Sequence, residues 1–452
     1  MTKPESIPDL SKGASEDGTI PMKMVMSKVE EWSVINDKKP LWLRSSKECS
    51  ENEYTDFYQQ TFKAYDAPLA HAHFSVEGSV NFKSLLYIPS EVPYELMRDM
   101  FATAARSMRL YVKRVFINDK FEDLIPRWLI FLRGVVDSDD FQLNVSREVL
   151  QQSRSLRLIK QRLVKKTVDM LIDLAASNHT AYSLFFKNFG RYLKVGIIED
   201  ERHRPELIPL CRFYSSFNST EGDGLTSLPD YVLRMKPDQK FIYYVVGESK
   251  SQAAMSPTLE KLKERGYEIL YVTEPIDEMT LQHIEKFADK TIVDTGKEAS
   301  MDLTPEEKRE KTIIDENFES LRMWFKQVLG DKITRVEVSS RLIDSPATLV
   351  QSEYGLSPNM QKYLKSQAVS DAPQTAGTLQ NVFNQAVLEI NPNHAIVKHL
   401  KQLTEQDPKS ETANDMAILL YSNAALSAGY LLDNSVEYAQ IVTKFLTTMS
   451  KL

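Results

Sequence analysis

Three acids, Asp137, Asp139 and Asp140, close a short apolar strand, and Arg147 follows them at the opening of a long helix. The N-terminal end of a helix is the positive end of its macrodipole, so a cation there is mildly unfavourable. Ser146 beside it is a candidate N-cap. A misplaced arginine is ordinarily a solvated charge, and position alone favours that reading. The chemistry it offers is specific all the same. A guanidinium never loses its charge, and its planar fork matches two phosphate oxygens at once. Gln151, one helical turn on, shares the face of Arg147 and can orient it or reach the same ligand. Asn144 shapes the loop between acids and helix. Glu148 suits the helix dipole better than the role of a general base.

Other candidate chemistry is sparse. His71 and His73 form an H-x-H, but no third ligand recurs nearby and a metal centre is not expected. Cys49 and Cys211 provide neither a disulfide framework nor a metal set, and suit a reducing compartment as idle or buried thiols. The chain has 15 Gly, and none of them builds a G-x-x-x-x-G-K-[ST] cradle or a convincing G-x-G-x-x-G. With 452 residues, 42% hydrophobic and 26% charged, it is globular material for more than one domain. A formal charge of −7 argues against a nucleic-acid binder. No apolar run approaches the ~20 residues that cross a bilayer, so no membrane partner is expected.

The elements that must position Arg147 read as α/β. Phe82–Ile88 and Leu110–Ile117 have strand composition, and a short apolar helix at Trp128–Leu132, after Pro126, leads into the strand Arg133–Val136. From Arg147 to about Ala176, Leu156, Ile159, Leu163, Met170 and Leu174 recur at helical steps with Thr167 between them, a core stripe. Residues 1–29 are polar and rich in Pro, Ser and Gly, a disordered lead-in or linker remnant. A connector of short helices spans 179–217. Within 218–296, strand and helix alternate (241–246, 256–265, 267–272, 276–287, 291–293), which implies a small parallel sheet. Gly247-Glu-Ser-Lys lacks the Gly spacing of a dinucleotide turn. After a charged boundary at 297–311 come a helix, two strands and a run of helices, with Asn391 and Pro392 fitting an N-cap and first helical turn. The last two helices carry stripes of Met416, Leu419, Leu420 and Ala424, then Tyr438, Val442, Phe445 and Met449. Either they pack within the chain or two copies form a four-helix bundle.

The segment GVVDSDDFQLNVSREVLQQ (134–152) closely resembles the catalytic-loop segment of the ninety-kilodalton heat-shock protein family, ATP-driven dimeric chaperones. PLWLRSSKE (40–48), HFSVEGSVNFKSLLYIP (73–89), LYVKRVFINDKFEDLIPRWLIFLRGVVDS (110–138), LTSLPDYVLRM (225–235), LEINPNHAIVKHL (388–400) and LLYSNAALSAGYLLDN (419–434) extend the resemblance along the chain. It implies an α/β middle domain over 30–296, with a large module (30–178), the connector and the small module (218–296), then an α+β C-terminal dimerisation domain over 305–452.

The family's adenine and phosphate contacts lie in an N-terminal domain whose motifs are not found in this sequence. The chain is therefore expected to bind no cofactor alone and to be inactive as an ATPase by itself. The resemblance places Arg147, with Gln151 and Asn144, against the terminal phosphate of ATP, with Mg, held in that other domain. It makes 351–364 a client-contacting segment through Tyr354, Leu356, Met360, Tyr363 and Leu364, although the same residues would equally fill a local core. Trp42 is a second client contact or a buried aromatic. Homodimerisation, client proteins and co-chaperones are the implied partners. The last residues, Thr447–Leu452, carry neither the acidic pentapeptide of cytosolic members nor a KDEL-type signal, which points to the organellar branch, mitochondrial or plastid. From outside this family, the alternative is a self-sufficient α/β enzyme with a nucleotide at the 241–293 unit.

Overall fold

The structure, a computed structural model, describes residues 2–8, 22–28, 39–102, 107–119, 124–140, 154–217, 224–298, 302–352, 355–368, 386–432 and 434–450. The lead-in is not featureless: β1 (Thr2–Pro8) and β2 (Met22–Lys28) pair as an antiparallel ribbon, with Pro4 opposite Met26. The alternation Met22, Met24, Met26 against Lys23, Val25, Ser27 is the strand period that a reading by composition overlooks.

The large module is a five-stranded sheet made of β3 (Ala70–Val76), β4 (Phe82–Ile88), β5 (Ser107–Val112), β6 (Val115–Asn118) and β7 (Arg133–Ser138), ordered β3-β4-β7-β5-β6. The central strands are buried on both faces. Phe82, Leu86 and Ile88 join the main core, while Leu85, Tyr87 and Val135 face Leu41, Trp42, Tyr54 and Tyr58 on the other side. Gly134 is forced by this pairing, because a Cβ there would stand 2.7 Å from the Leu85 carbonyl oxygen. The single strand expected over 110–117 is two strands. Lys113 and Arg114 both take positive φ (50° and 66°) and turn β5 back into β6 as a tight hairpin. Leu156, Ile159, Leu163, Thr167, Met170 and Leu174 of the helix Arg154–Ser177 are all buried, as the stripe requires.

The connector is dominated by a 21-residue helix, His179–Glu199, rather than several short ones. Asn178 caps it through Ala181 N–H, and Phe185, Phe189 and Leu193 run down its buried side. It hands the core on to the small module, so Tyr244, Leu270 and Val272 belong to the same hydrophobic cluster as Trp128 and Phe131. A buried ion pair, Lys194 with Asp277, crosses that join.

The small module is a mixed six-stranded sheet: β8 (Phe213–Ser215), β9 (Leu225–Thr226), β10 (Phe241–Val246), β11 (Ile269–Val272), β12 (Lys286–Phe287) and β13 (Lys290–Asp294), ordered β12-β13-β10-β11-β8-β9. Only β10, β11 and β13 run parallel, so the expected parallel sheet is its centre, with antiparallel edges. Part of the charged boundary is itself a helix, Pro305–Asn317, opened by a Thr304–Glu307 capping box.

In the C-terminal unit, β14 (Arg335–Val338), β15 (Ala347–Gln351) and β16 (Ala386–Ile390) form a sheet ordered β14-β16-β15, packed on Glu319–Leu329, Ala395–Gln406 and Glu411–Ser427. The expected N-cap Asn391 is instead buried, its amide donating to the Ile343 and Ser345 carbonyls, and His394 caps the helix. A parallel bridge, Lys297 to Gln351, and Arg341 donating to Thr295 O join this unit to the small module.

Candidate functional site

Arg147, Gln151 and Asn144 lie outside the described residues, so the site is built from what holds the two ends of their loop. At the leading end, Asp137 is 5% exposed and its carboxylate is fully engaged. Oδ2 accepts the Trp42 indole N–H at 3.0 Å and Oδ1 accepts the Arg114 backbone N–H at 3.2 Å. Lys113 N–H donates to the Ser138 carbonyl, which fastens the β5–β6 turn to the end of β7. Ser138 Oγ donates to Asn81 O at 2.6 Å, Asn81 N–H returns a bond to the Asp140 carboxylate, and Asp140 N–H donates to Ser138 Oγ. Bonds to a carboxylate are worth about 1.5–3 kcal/mol each, so the loop departs from a fixed base. At the far end, Leu156 and Ile159 bury the first turns of the following helix.

Behind that base lies an aromatic and imidazole cluster. Trp42 packs against Tyr111 in a tilted arrangement with ring centroids 4.9 Å apart and meets Phe57 edge-on at 5.8 Å. With 8% of its surface exposed, Trp42 as folded offers a client little area. His73 bridges Tyr54 OH, at 2.8 Å, and the Trp42 carbonyl, while His71 stacks on Tyr54 at 4.0 Å. Burial lowers the pKa of both histidines and pushes Tyr54 up to about 12, which keeps the cluster neutral around pH 7. No three His, Cys, Asp or Glu side chains converge on a metal site among the described residues.

The C-terminal segment splits in two. Tyr354 lies outside the described residues. Leu356, Met360 and Leu364 are half-buried and Tyr363 is 45% exposed. The helix Pro358–Ala368 is held to the small module on its polar side: Ser357 Oγ donates to Glu278, Asn359 Nδ2 donates to Gly247 O at 2.9 Å, and Lys362 pairs with Glu248. These contacts sit where a phosphate would have to enter after β10. Gly247 serves packing there, since a Cβ would stand 2.9 Å from Ala253. Among the described residues, nothing after β10 is an open phosphate cradle.

Of the proposed dimer residues, Leu420 and Ala424 are 5% and 2% exposed and belong to the chain's own core, which leaves them almost nothing to give a second copy. Met416, Leu419, Tyr438, Val442 and Phe445 are half-buried, and the side chain of Met449 lies outside the described residues. The sequence stripes missed Leu426, Leu431, Val436 and Leu446, which are 45–65% exposed. Leu426, Val436 and Leu446 escape that reading because they stand on helix faces turned away from the chain's own core, and Leu431 because it lies between the two helices. The cavity beside β13 was also missed, and no local pattern signals it.

Over residues 6–452 the chain matches the family model described as Hsp90 protein. It is 43% identical over 422 residues to heat shock protein 90-5, chloroplastic, of Arabidopsis thaliana, covering 92% of this chain and 53% of that protein. It is 40% identical over 417 residues to heat shock protein 90-6, mitochondrial, of the same plant, covering 92% of this chain and 51% of that one. The chain thus spans about half the length of these relatives. Among solved structures, it resembles the middle domain of a Plasmodium falciparum protein designated a heat shock protein. That likeness has 44% identity and a TM-score of 0.52, over 57% of this chain and all of the other. No helix among the described residues is long and apolar enough to cross a membrane.

Proposed function

Because this chain belongs to the Hsp90 protein family, we propose that it forms the middle and C-terminal part of an ATP-driven chaperone and lends Arg147 to a nucleotide bound in another domain. In this reading ATP and Mg²⁺ are held by that other domain, as the family resemblance implies. Hydrolysis of a terminal phosphate is catalysed largely by positioning and charge neutralisation, and a guanidinium brought in from outside can contribute roughly 10³–10⁵ in rate. In this reading Gln151, four residues on from Arg147, keeps the fork aimed, and Asn144 shapes the segment before it. The observation that carries this reading is the clamp at the loop base: Asp137, Ser138 and Asp140 hold the leading end on three different elements. A residue that must meet a phosphate on a separate body needs such a rigid mount.

Client proteins are held by the half-exposed face of Pro358–Ala368 through Leu356, Met360, Tyr363 and Leu364. Shallow apolar contacts with a deformable methionine suit partners of many sequences. Two copies associate through the exposed apolar residues of the last two helices. Relatives of the plastid and the mitochondrion favour an organellar matrix as the compartment.

The test joins this chain to a family nucleotide-binding domain and replaces Arg147→Ala. The reading expects ATP turnover to collapse while nucleotide affinity is nearly unchanged. Equal losses of both would remove the trans-arginine role.

A further inference from the structure

The cluster behind the loop base is a continuous hydrogen-bonded chain, and one of its links is a histidine. Asp137 Oδ2 holds the Trp42 indole N–H at 3.0 Å. The Trp42 carbonyl lies 3.3 Å from His73 Nε2, and His73 Nδ1 lies 2.8 Å from Tyr54 OH. The links come from four elements: β7 (Asp137), the turn Leu41–Leu43 (Trp42), β3 (His73) and the helix Glu51–Phe62 (Tyr54). Trp42 is therefore gripped twice, at its ring by Asp137 and at its backbone by His73.

The partners fix where the protons sit. The Trp42 carbonyl can only accept, so His73 Nε2 carries a hydrogen. In the neutral ring Nδ1 is then bare and accepts the Tyr54 O–H. Tyr54 keeps that hydrogen, since burial pushes its pKa up to about 12. The neutral imidazole thus satisfies both neighbours at once. A second proton, on Nδ1, turns the Tyr54 hydroxyl away and puts a charge among like charges. Arg44, paired with Glu53 at 2.8 Å, Lys83 of β4 and His71 of β3 all oppose the imidazolium. Cys49 bears on Tyr54, and Glu51 lies 3.7 Å from His71.

We propose that His73 is a positioning residue for Arg147: neutral, it holds Trp42 on Asp137 and keeps the loop base fixed, and a proton on Nδ1 loosens that grip and slows ATP hydrolysis. The proposal rests on the reading of Arg147 as an arginine lent to another domain. Burial, reinforced by His71, Lys83 and Arg44, holds the His73 pKa below the ordinary histidine value. The grip is then complete above about pH 6.5 and is lost as pH falls through the lowered value.

Two measurements test it. The first follows tryptophan fluorescence of the whole chain from pH 8 to pH 5. A step centred below about pH 6.5 should appear, and it should vanish in His73→Gln and in Trp42→Phe. Tyr54→Phe removes the hydroxyl that favours a bare Nδ1, so it should move the step to higher pH. The second joins this chain to a family nucleotide-binding domain and measures single-turnover ATP hydrolysis. The rate of His73→Gln divided by that of the parent should rise roughly fivefold or more from pH 7.5 to pH 5.5, with the ratio of nucleotide affinities unchanged. Should His73→Gln misfold, Tyr54→Phe carries the test, its rate falling at higher pH than the parent's. A rate ratio flat in pH while Arg147→Ala still abolishes turnover would overturn the positioning role alone. A fluorescence step unmoved by Tyr54→Phe would do the same. Turnover undiminished in Arg147→Ala would remove the underlying reading, and this proposal with it.

Discussion

Trp42 and Asp137 stand far apart in the chain, and their hydrogen bond ties the first turn of the large module to the base of the Arg147 loop. Trp42→Phe should keep most of the ring contacts with Tyr111 and Phe57 but leave Asp137 Oδ2 without its donor. The expected loss is about 1–3 kcal/mol, read as a lower urea midpoint with an unchanged slope. An unaltered midpoint would mean that water replaces the indole at no cost. The sequence exposed the acids and Trp42 separately but gave no sign that they meet, because a pairing across a sheet leaves no local periodicity. The same holds for Lys194 and Asp277, whose ion pair joins two modules that composition shows as separate segments.

Element by element, the apolar periods were reliable and the turns were not. The stripe from Leu156 to Leu174 and the strand Phe82–Ile88 were legible because burial imposes a period that survives in the residue types. Lys113 and Arg114 hid the hairpin, since neither is a residue that ordinarily accepts positive φ. The pair Lys113→Asn with Arg114→Gly should therefore stabilise the chain by about 1–2 kcal/mol, seen as a higher melting temperature. Destabilisation would show that the two side chains make contacts outweighing the strain. The last two helices were legible as amphipathic, but not which stripe the chain keeps for itself. Removing everything after Glu411 would delete Ala413, Ala417 and Leu420 from the C-terminal core, so it tests folding rather than association. Val436→Asp with Leu446→Asp is the cleaner probe. Sedimentation should show a dimer at micromolar concentration for the parent and a monomer for the variant, whereas two monomers would dismiss the proposed interface.

At the scale of the whole molecule, the units meet through buried polar groups, and the meeting is pH-dependent. Glu278, 3% exposed, takes a bond from Ser357 across the join, and burial raises its carboxyl to about 7, with Asp294 nearby raised to about 6. Each folded-state value lies above the ordinary carboxyl range, so the folded chain holds extra protons between about pH 4 and 7. Stability from these groups is full below that window and is lost as pH rises through it. Glu278→Gln should remove most of the effect, becoming more stable relative to the parent by on the order of 2 kcal/mol from pH 5 to pH 8. Parallel stability curves would contradict it. The joins were not visible in the sequence, because they are built from backbone carbonyls and buried charges that no motif encodes.

The most direct measurement is single-turnover ATP hydrolysis by a protein that joins this chain to a family nucleotide-binding domain, with Arg147 intact and replaced by Ala. A rate lower by roughly 10³-fold or more, with nucleotide affinity within about twofold, is the predicted result. Hydrolysis that proceeds equally fast without the guanidinium would contradict the account.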